Sequence, residues 1–251
     1  MYLANTTWTS RLSRLVLWRV PYGFWAGLRL RGGLRELKPT ALTLEQGFLA
    51  SYDFTGRVCM DAGGFDGRMA WYFARHARRV VTFEPNPHSQ ASIVALTGRN
   101  RCTNIELVAF ARGGECGEME MITHGGADAT GTFDSSIAAS FDETSRYTVR
   151  MTTLDHYCSA TDIRPHFIKI DVEGFELQVL HGAEDVTSAL HPDFFVEIHG
   201  ASREAKRANA FGVLDWLDSR GYKCIHVESG SSVTSARADQ ACEGHIFATH
   251  G

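Results

Sequence analysis

Apolar and polar positions alternate in blocks over most of the chain, and the period of the blocks changes along it. From residue 57 onward, short apolar runs typical of buried strands are followed by segments whose apolar residues recur at helical spacing. Strands that alternate with helices are typical of a doubly wound, mostly parallel α/β sheet. The pattern predicts strands over 57–61, 79–84, 104–109, 166–171 and 193–199, and helices over 67–77, 88–98, 175–183 and 202–219.

The C-terminal segments predict a different pairing. Residues 222–228 and 245–249 form a last pair of strands with no convincing helix between them, which favours an antiparallel edge strand. Trp216 lies at the edge of the apolar side of the helix that precedes them. We predict that this side is formed by Phe211, Leu214 and Leu217.

The middle of the chain carries the weakest pattern. Residues 116–121 are predicted to form part of a hairpin, whereas residues 123–147 show no clear period. Loops of that length within a compact domain are usually functional. We therefore interpret residues 123–147 as a mobile loop on the substrate side of the domain rather than as a plain linker.

The first 44 residues follow a separate pattern. A helix is predicted over residues 8–20, where Pro21 ends it. One interpretation is a helix packed on the core with solvated arginines. The other is contact with a membrane surface or a lipid substrate, because Trp, Leu and Arg on one short helix suit an interface. We predict an N-terminal helical extension, basic and aromatic, over residues 1–44, and one α/β domain over 45–251.

Composition narrows the class of protein. The 251 residues are 44% apolar and 22% charged, which is ordinary for a globular domain. The net charge of −4 does not suggest a nucleic-acid binder. Residues 1–45 nevertheless hold seven Lys/Arg against two Asp/Glu. Such an imbalance indicates that the basic end has its own role, often against an acidic surface.

Cysteine usage and hydropathy indicate a cytoplasmic protein, with membrane association as the alternative. The six cysteines are scattered, with no CxxC and no zinc-site spacing. We expect reduced thiols, with Cys59 and Cys224 filling the core. No apolar run approaches the roughly 20 residues of a membrane span. Arginines interrupt the N-terminal apolar segment, so it does not match a secretory signal.

The predicted strand ends carry the candidate chemistry, since ligands of open parallel sheets bind outside the carboxyl ends of the strands. These ends supply six acidic side chains, one histidine and no lysine placed to clamp a phosphate. Phe110 follows the third strand. The acidic side chains and the histidine are Asp61, Asp66, Glu84, Asp171, Glu173, Glu197 and His199.

The turn after the first strand, D-A-G-G-F-D-G over residues 61–67, discriminates between ligands. It matches neither GxxxxGK[ST] nor GxGxxG, the two phosphate-binding patterns. Asp61 and Asp66 would repel a pyrophosphate. They suit a ligand with a ribose, no phosphate and positive charge, and S-adenosylmethionine is such a ligand. Glu84, at the next strand end, can accept both ribose hydroxyls. The alternative is a structural turn with a solvated Glu84.

Several motifs follow one another in a recognisable order. V-C-M-D-A-G-G-F-D-G is followed by V-V-T-F-E-P-N-P, V-R-M-T-T-L-D, F-I-K-I-D-V-E-G-F-E-L-Q-V-L-H-G-A and F-F-V-E-I-H. The chain thus resembles the FkbM family of S-adenosylmethionine-dependent methyltransferases over about residues 45–200. K-I-D-V-E-G-F-E, residues 169–176, is the most specific part. The resemblance implies a Rossmann-like class I methyltransferase fold and O-methylation of a sugar, glycolipid, polyketide or similar natural product.

The resemblance also implies residue roles. Asp61, Gly63 and Gly67 would form the cofactor turn, Glu84 would hold the ribose, and Asn86 would lie beside it. Asp171 would stand near the methionine end or the reacting centre. The family's first motif is nearer D-V-G-A-N-x-G, so Gly64 and Phe65 depart from it, and A-F-A-R-G-G-E follows the third strand in place of an early acidic residue. The predicted cofactor contacts also include Phe65 and Phe110.

Methyl transfer to a hydroxyl calls for a general base, because a sugar hydroxyl is a poor nucleophile at neutral pH. We predict His199 as the first candidate base, Asp171 as the second and Glu173 as the third. Glu173 and Glu197 could instead orient the base or the substrate, and a structural histidine is the alternative for His199. Hard cations take oxygen ligands, so Asp171 could help to hold one, but no metal ligand set is predicted.

Two other functions compete with O-methylation. A nicotinamide-dependent oxidoreductase would also use a doubly wound fold, but the glycine spacing and the absence of Tyr-x-x-x-Lys argue against it. A non-catalytic member could use the fold as a cofactor-binding module in a biosynthetic complex. The basic, aromatic N-terminus favours a lipid-linked sugar or glycolipid acceptor, with peripheral membrane contact.

Overall fold

The structure is a computed structural model that describes residues 17–31, 41–124, 131–141 and 144–251. Its strands are β1 (Leu17–Arg19), β2 (Arg29–Arg31), β3 (Val58–Ala62), β4 (Arg79–Phe83), β5 (Ile105–Val108), β6 (Ala111–Arg112), β7 (Gly117–His124), β8 (Gly131–Thr132), β9 (Thr144–Thr152), β10 (Phe167–Ile170), β11 (Asp193–Glu197), β12 (Tyr222–His226), β13 (Ser231–Val233) and β14 (His245–His250). Its helices are α1 (Leu44–Ser51), α2 (Arg68–Ala74), α3 (Pro87–Asn100), α4 (Ser135–Ala138), α5 (Leu154–Thr161), α6 (Glu176–His181), α7 (Glu184–Leu190) and α8 (Arg203–Asp218), with a 3-10 helix at Ser235–Gln240.

Eight strands form the main sheet in the order β13-β12-β14-β11-β10-β3-β4-β5. The five strands from β11 to β5 are parallel, whereas β14 runs antiparallel to both β11 and β12. The predicted doubly wound, mostly parallel sheet and its antiparallel final pair are therefore confirmed, with β14 inserted between β11 and β12. The chain leaves β3 toward β4 and β5 and later returns to β10 on the other side. The strand order thus reverses between β3 and β10.

The two faces of the sheet are both covered. Val58, Met60 and Ala62 of β3 pack in the cluster that includes α5 to α8, and Cys59 packs in the cluster that includes α1 to α3. Alternate residues of a strand point to opposite faces. A strand buried on both sides is therefore a continuous apolar run, as predicted for a parallel sheet. Asp61 interrupts this run and is fully buried.

The N-terminal segment differs from its prediction where it is described. Residues 17–19 form a strand that pairs antiparallel with β2, so the helix predicted over 8–20 is wrong there. Pro21 and two glycines with left-handed backbone, at 23 and 27, turn the chain back on itself. Phe24 of this hairpin stacks on Tyr72 with ring centroids 3.8 Å apart. The hairpin therefore packs on the core; residues 1–16 and 32–40, which include most of the predicted helix, lie outside the described residues.

The segment predicted as a mobile loop contributes to a second sheet. Four strands lie in the order β6-β9-β7-β8, and β7 pairs antiparallel with β9 from Gly117 to His124. The hairpin predicted at 116–121 is confirmed, whereas the unpatterned segment 123–147 contains β8, α4 and the start of β9. The pattern missed β9 because most of its side chains are exposed or only half-buried. Residues 125–130 and 142–143 lie outside the described residues.

Two cysteines and the apolar side of α8 were predicted to lie in the core. Cys59 and Cys224 are buried, as predicted, and all six cysteines are free. On α8, Trp216 is buried while Phe211 is 51% exposed, so Phe211 was wrongly assigned to the apolar side. The buried side of α8 is instead Ala210, Val213, Leu214, Trp216 and Leu217. Within the described ranges, the helices are too short or too polar to cross a bilayer.

Candidate functional site

The candidate site opens where the ends of β3 and β10 meet. The Asp171 N–H donates to the carbonyl of Ala62 at 2.9 Å, which brings the chain after β10 against the turn after β3. Gly63 has a left-handed φ of +97°, and a Cβ at this position would lie 1.7 Å from the carbonyl oxygen of Asp171. Only a glycine fits this approach. The absence of a side chain at residue 63 therefore lets the two strand ends converge.

The rest of the glycine turn is ordered by hydrogen bonds. The Phe65 N–H donates to Oε2 of Glu84 at 2.7 Å. Asp66 accepts the Arg68 N–H and pairs with the Arg68 guanidinium, with Nε and Oδ2 2.8 Å apart. Gly67 precedes α2 in the left-handed conformation. Asp66 is thus engaged with Arg68, and Phe65, with its side chain half exposed, stands on the rim of the site.

Glu84 is fixed at the end of β4 with both carboxylate oxygens directed. Its Oε2 accepts from Phe65 N–H and its Oε1 accepts from Asn86 N–H at 2.8 Å. Burial raises its pKa to about 7, against the effect of the two backbone N–H groups. Each carboxylate oxygen keeps a second lone pair. Glu84 lines the cavity and can therefore accept hydroxyl hydrogens from a ligand there.

Asp61, Lys169 and Asp171 form a row of charged side chains at the base of the cavity, which we call the charge row. Lys169, 3% exposed, donates to Oδ2 of Asp171 at 2.7 Å, and its ammonium lies 3.9 Å from Oδ1 of Asp61. Oδ2 of Asp61 accepts from the Thr82 hydroxyl at 3.1 Å, whereas Oδ1 has no hydrogen-bond partner. Burial raises the pKa of Asp61 to about 6. Burial opposes ionisation of Asp171 too, but the Lys169 ammonium and His199 hold its pKa below the usual value.

His199 lies at the acidic end of the cavity. Its Nδ1 is 2.9 Å from Oε1 of Glu176, a fully buried residue. Its Nε2 faces three carboxylates that also line the cavity: Asp171 at 3.8 Å, Glu173 at 3.7 Å and Glu197 at 3.6 Å. Burial alone would lower the pKa of His199, but Glu176 and the neighbouring carboxylates raise it to about 9. His199 is therefore an imidazolium at neutral pH when these carboxylates are its surroundings.

The opposite wall of the cavity is aromatic with one cation. Arg112 is 2% exposed and its guanidinium lies 3.3 Å from the ring centroid of Phe83. Its Nη1 donates to the Thr153 carbonyl at 2.8 Å, while Nε and Nη2 have no hydrogen-bond partner among the described residues. Burial lowers the pKa of Arg112 to about 9. Phe133, which directly follows β8 of the second sheet, also lines the cavity.

The structure brings together only part of the predicted site. The predicted residues that line the cavity are Gly63, Phe65, Glu84, Asp171, Glu173, Glu197 and His199. Four other predicted residues do not line it: Asp61 lies in β3, Gly67 precedes α2, Asn86 caps α3, and Phe110 lies under the Arg150 guanidinium at 4.7 Å. The roles predicted for all of them remain predictions.

Sequence reasoning missed three charged residues of the site. Lys169 and Glu176 lie in the K-I-D-V-E-G-F-E block, in which only Asp171 and Glu173 were predicted to belong to the site. The signal for Lys169 was a charge inside an apolar strand, since a buried charge needs a partner. Glu176 lies at the start of a helix and carried no such signal. Arg112 stands in A-F-A-R-G-G-E, where the resemblance suggested an acid instead. Asp171, Glu173 and His199 also place one ligand atom each within 4.8 Å of one another, close enough to share a metal ion.

Comparison with solved structures finds chains that are similar to this one. The methyltransferase FkbM from Methylobacillus flagellatus KT superimposes with a TM-score of 0.52 at 17% identity, covering 81% of this chain and 46% of that one. An rRNA methylase from Streptococcus thermophilus gives a TM-score of 0.46 at 12% identity, covering 81% of this chain and 92% of that one. The first likeness supports the Rossmann-like class I methyltransferase fold. The present chain spans less than half the length of that protein.

Sequence comparison supplies the family. No curated protein matches the chain. Residues 61–224, from the buried Asp61 of β3 to Cys224 of β12, match the family described as methyltransferase FkbM domain. This range contains the glycine turn, Glu84, the charge row under Lys169 and the His199 cluster, and it makes up more than half of the chain. The chain therefore belongs to the FkbM methyltransferase domain family.

Proposed function

We propose that the protein is an S-adenosylmethionine-dependent O-methyltransferase that acts on a hydroxyl of a sugar, glycolipid or similar natural product. One observation carries the proposal. A single cavity at the strand-order reversal joins a directed carboxylate, Glu84, to a cluster of three carboxylates around one imidazole, His199. The first suits a ribose, and the second suits a positive charge and a proton.

The residues of the cavity fit the cofactor. Gly63 has no side chain where the two strand ends converge, so its backbone lines the cavity. Glu84 can accept ribose hydroxyls, and Phe83, Pro85 and Phe133 offer apolar contact for a flat ring. The acidic end attracts a sulfonium and an ammonium group. When bound, S-adenosylmethionine supplies an electrophilic methyl group and leaves as the neutral S-adenosylhomocysteine.

The chain's own residues hold and deprotonate the acceptor. Glu176 fixes the imidazole of His199 through Nδ1, so that Nε2 faces the cavity. Lys169 occupies Oδ2 of Asp171, which makes Asp171 a weaker base than Glu173, whose pKa is raised by burial. We propose that His199 takes up the proton of the acceptor hydroxyl after the imidazolium has lost its own proton and become neutral, with Glu173 as its partner. Positioning a hydroxyl against such a base typically contributes 10²–10⁴-fold in rate.

The proposal also includes the class of the acceptor and the location of the protein in the cell. The three carboxylates at the acidic end of the cavity disfavour acceptors that carry a negative charge next to the reacting hydroxyl. This supports sugars as acceptors and argues against nucleic acid. The described hairpin carries Arg19, Arg29 and Arg31, which supports contact with an anionic membrane surface or a glycolipid. The six free thiols support a cytoplasmic location.

The proposal is tested by two measurements on the full chain. Calorimetry should show binding of S-adenosylmethionine, and a thermal-shift screen should show no comparable effect of NAD. Incubation with methyl-labelled cofactor and a panel of sugars, glycolipids and polyketides should then transfer label to a hydroxyl. A protein stabilised by NAD alone would contradict the proposal. Cofactor binding with no transfer to any acceptor would favour a non-catalytic binding module.

Glu84→Ala is expected to weaken S-adenosylmethionine binding by about 10- to 100-fold, because hydrogen bonds to a charged group contribute about 1.5–3 kcal/mol each. Calorimetry at pH 8 measures the change. Glu120→Ala, on the exposed side of β7 with a side chain 54% exposed, is the control and should bind normally. Equal affinity in the two variants would remove Glu84 from the cofactor site.

Cofactor binding is also expected to depend on pH through Glu84. Its pKa is raised to about 7 by burial, so the carboxylate gains a proton as the pH falls through 7 and loses acceptor capacity. Affinity for S-adenosylmethionine should therefore fall by about tenfold between pH 8 and pH 6. The Glu84→Ala variant should show a flat profile over this range. A wild-type profile as flat as that of the variant would contradict this role.

His199→Ala is expected to lower turnover by about 10²–10⁴-fold while cofactor affinity is retained. The reason is that His199 is assigned to the proton of the acceptor, whereas Glu84 is assigned to the ribose of the cofactor and the three carboxylates to its positive charge. Steady-state kinetics and calorimetry on the same preparation separate the two effects. His181→Ala, an exposed histidine on α6, is the matched control. Full turnover in His199→Ala would transfer the base role to Glu173 or Asp171.

A further inference from the structure

We propose that Asp171, Glu173 and His199 form a binding site for one divalent cation at the acidic end of the cavity. The role of the ion in methyl transfer rests on the proposed function, whereas its binding does not. The three side chains come from the ends of β10 and β11, two neighbouring parallel strands. One ligand atom of each lies within 4.8 Å of the other two.

The spacing around Nε2 of His199 is slightly wider than that of ligands about a shared ion. The carboxylate oxygens of Asp171 and Glu173 lie 3.8 and 3.7 Å from Nε2. These distances exceed the roughly 3.2 Å limit of a good hydrogen bond. Two ligands bound at about 2.1 Å to one ion in a tetrahedral or octahedral shell stand roughly 3.0–3.5 Å apart. A small inward movement of each side chain would therefore complete a coordination shell.

The far side of His199 gives an independent indication. Metal-bound histidines usually donate their other ring N–H to a carboxylate or carbonyl, which fixes the tautomer and aims the lone pair. Here Nδ1 meets Oε1 of Glu176, a carboxylate with no solvent exposure that lies outside the cavity. Oε2 of Glu176 is held in turn by the side-chain amide of Asn209 at 2.6 Å. The imidazole is thus clamped with Nε2 directed at the three carboxylates.

A second buried histidine faces the same cluster. The side chain of His245 is 10% exposed, and its Nδ1 lies 2.6 Å from Oε1 of Glu228. Within the described part of the chain its Nε2 has no hydrogen-bond partner, and it lies 3.5 Å from Oε2 of Glu197, whose Oε1 faces His199. Glu197 is therefore held between two imidazoles. It is placed to accept hydrogen from a water or hydroxyl on the ion rather than to bind the ion itself.

The donor set indicates the class of ion and its use. Two carboxylate oxygens and one imidazole nitrogen suit Mn²⁺ or Mg²⁺, which keep remaining positions for water or substrate oxygen. An ion here can bind the acceptor hydroxyl and lower its pKa. With the ion bound, His199 would be its ligand and no longer the base, and Glu197 would replace it as the acceptor of the hydroxyl proton as the oxygen forms its bond to the methyl carbon. The bond from that carbon to sulfur breaks, and its electron pair stays on sulfur.

Mn²⁺ titration of the chelator-treated full chain, followed by electron paramagnetic resonance, tests the site. One Mn²⁺ should bind per chain, and Mg²⁺ should displace it. Glu173→Gln and His199→Gln should each weaken binding at least tenfold, and Glu176→Gln should weaken it about 10- to 100-fold through the imidazole. The control is a surface pair on α6 and α7, His181→Gln with Glu184→Gln, which should bind Mn²⁺ normally. Circular dichroism checks that each variant is folded.

Two outcomes would overturn the site: no Mn²⁺ bound at millimolar concentration, or equal binding by the control and the cluster variants. Calorimetry with S-adenosylmethionine on the metal-free wild-type chain keeps this failure apart from that of the proposed function. Cofactor binding without Mn²⁺ binding rejects the ion alone. Mn²⁺ binding that is lost in Glu173→Gln and His199→Gln, with no cofactor binding, supports the ion and rejects the cofactor.

Discussion

Gly63→Ala is expected to destabilise the protein by several kcal/mol and to abolish S-adenosylmethionine binding. A Cβ at residue 63 would lie 1.7 Å from the Asp171 carbonyl oxygen, a backbone atom that cannot turn away as a side chain can. The ends of β3 and β10 would have to separate, which breaks the hydrogen bond between Asp171 N–H and the Ala62 carbonyl. The floor of the cavity would open with them. Urea unfolding and calorimetry measure the two losses.

Gly56→Ala is the matched control for this variant. Gly56 also has a left-handed backbone, with φ +71°, but a Cβ there would meet no atom within 4 Å. It therefore carries only the cost of a left-handed alanine, about 1–2 kcal/mol. The difference between the two variants isolates the contact with Asp171. If Gly63→Ala were no less stable than Gly56→Ala and bound cofactor normally, the convergence of the strand ends would not limit the site.

The mostly parallel sheet, and the placing of candidate residues at its strand ends, followed from local patterns. Alternating periods predicted the parallel core, because a strand buried on both faces must be apolar at every position, as β3 is apart from Asp61. The directed Glu84 followed from its place at a strand end. The hairpin of β1 and β2 could not be predicted from local patterns. Its apolar residues fit a helical stripe, and the pairing of Leu17–Arg19 with Arg29–Arg31 is a contact between separate segments.

The side-chain contacts at the base of the cavity could not be predicted from local patterns, for a related reason. Glu176 appeared as the start of a helix, and only the fold brings its carboxylate to His199, 23 residues away. Phe211 fell on the helical stripe of α8 but is exposed, and the side that α8 buries runs through Ala210, Val213 and Trp216 instead. Periodicity assigns residues to faces of an element. It does not say which neighbour will cover each face.

The pairing of Lys169 with Asp61 and Asp171 illustrates how such contacts decide stability. Three ionisable groups share the space beneath the turn, and Lys169 is the one cation that ion pairs link to both acids among the described residues. A buried charge is tolerated when it is paired, and removing one partner leaves the other uncompensated. Inside the apolar core, Asp61 lies beside Lys169 of the adjacent strand and accepts a hydrogen bond from the Thr82 hydroxyl, and Lys169 supplies the compensating charge.

Lys169→Met is therefore expected to lower the free energy of unfolding by about 3–5 kcal/mol, the usual cost of breaking a buried ion pair from one side. The methionine keeps the length of the side chain, so loss of packing contributes little. Urea unfolding monitored by fluorescence measures the change. Lys206→Met, which removes an exposed pair with Glu243 whose side chain is 70% exposed, is the control and should change stability by less than about 1 kcal/mol.

Second-site variants show which acid carries the cost. Asp61 has no exposed surface and cannot recruit water, whereas the side chain of Asp171 is 27% exposed and faces the cavity. Adding Asp61→Asn to Lys169→Met should therefore recover more stability than adding Asp171→Asn, because it neutralises the acid that is fully buried. Equal recovery by the two, or none, would contradict this account of the charge row. Greater recovery with Asp171→Asn would place the essential pair at the cavity, and Lys169 would then serve the site more than the core.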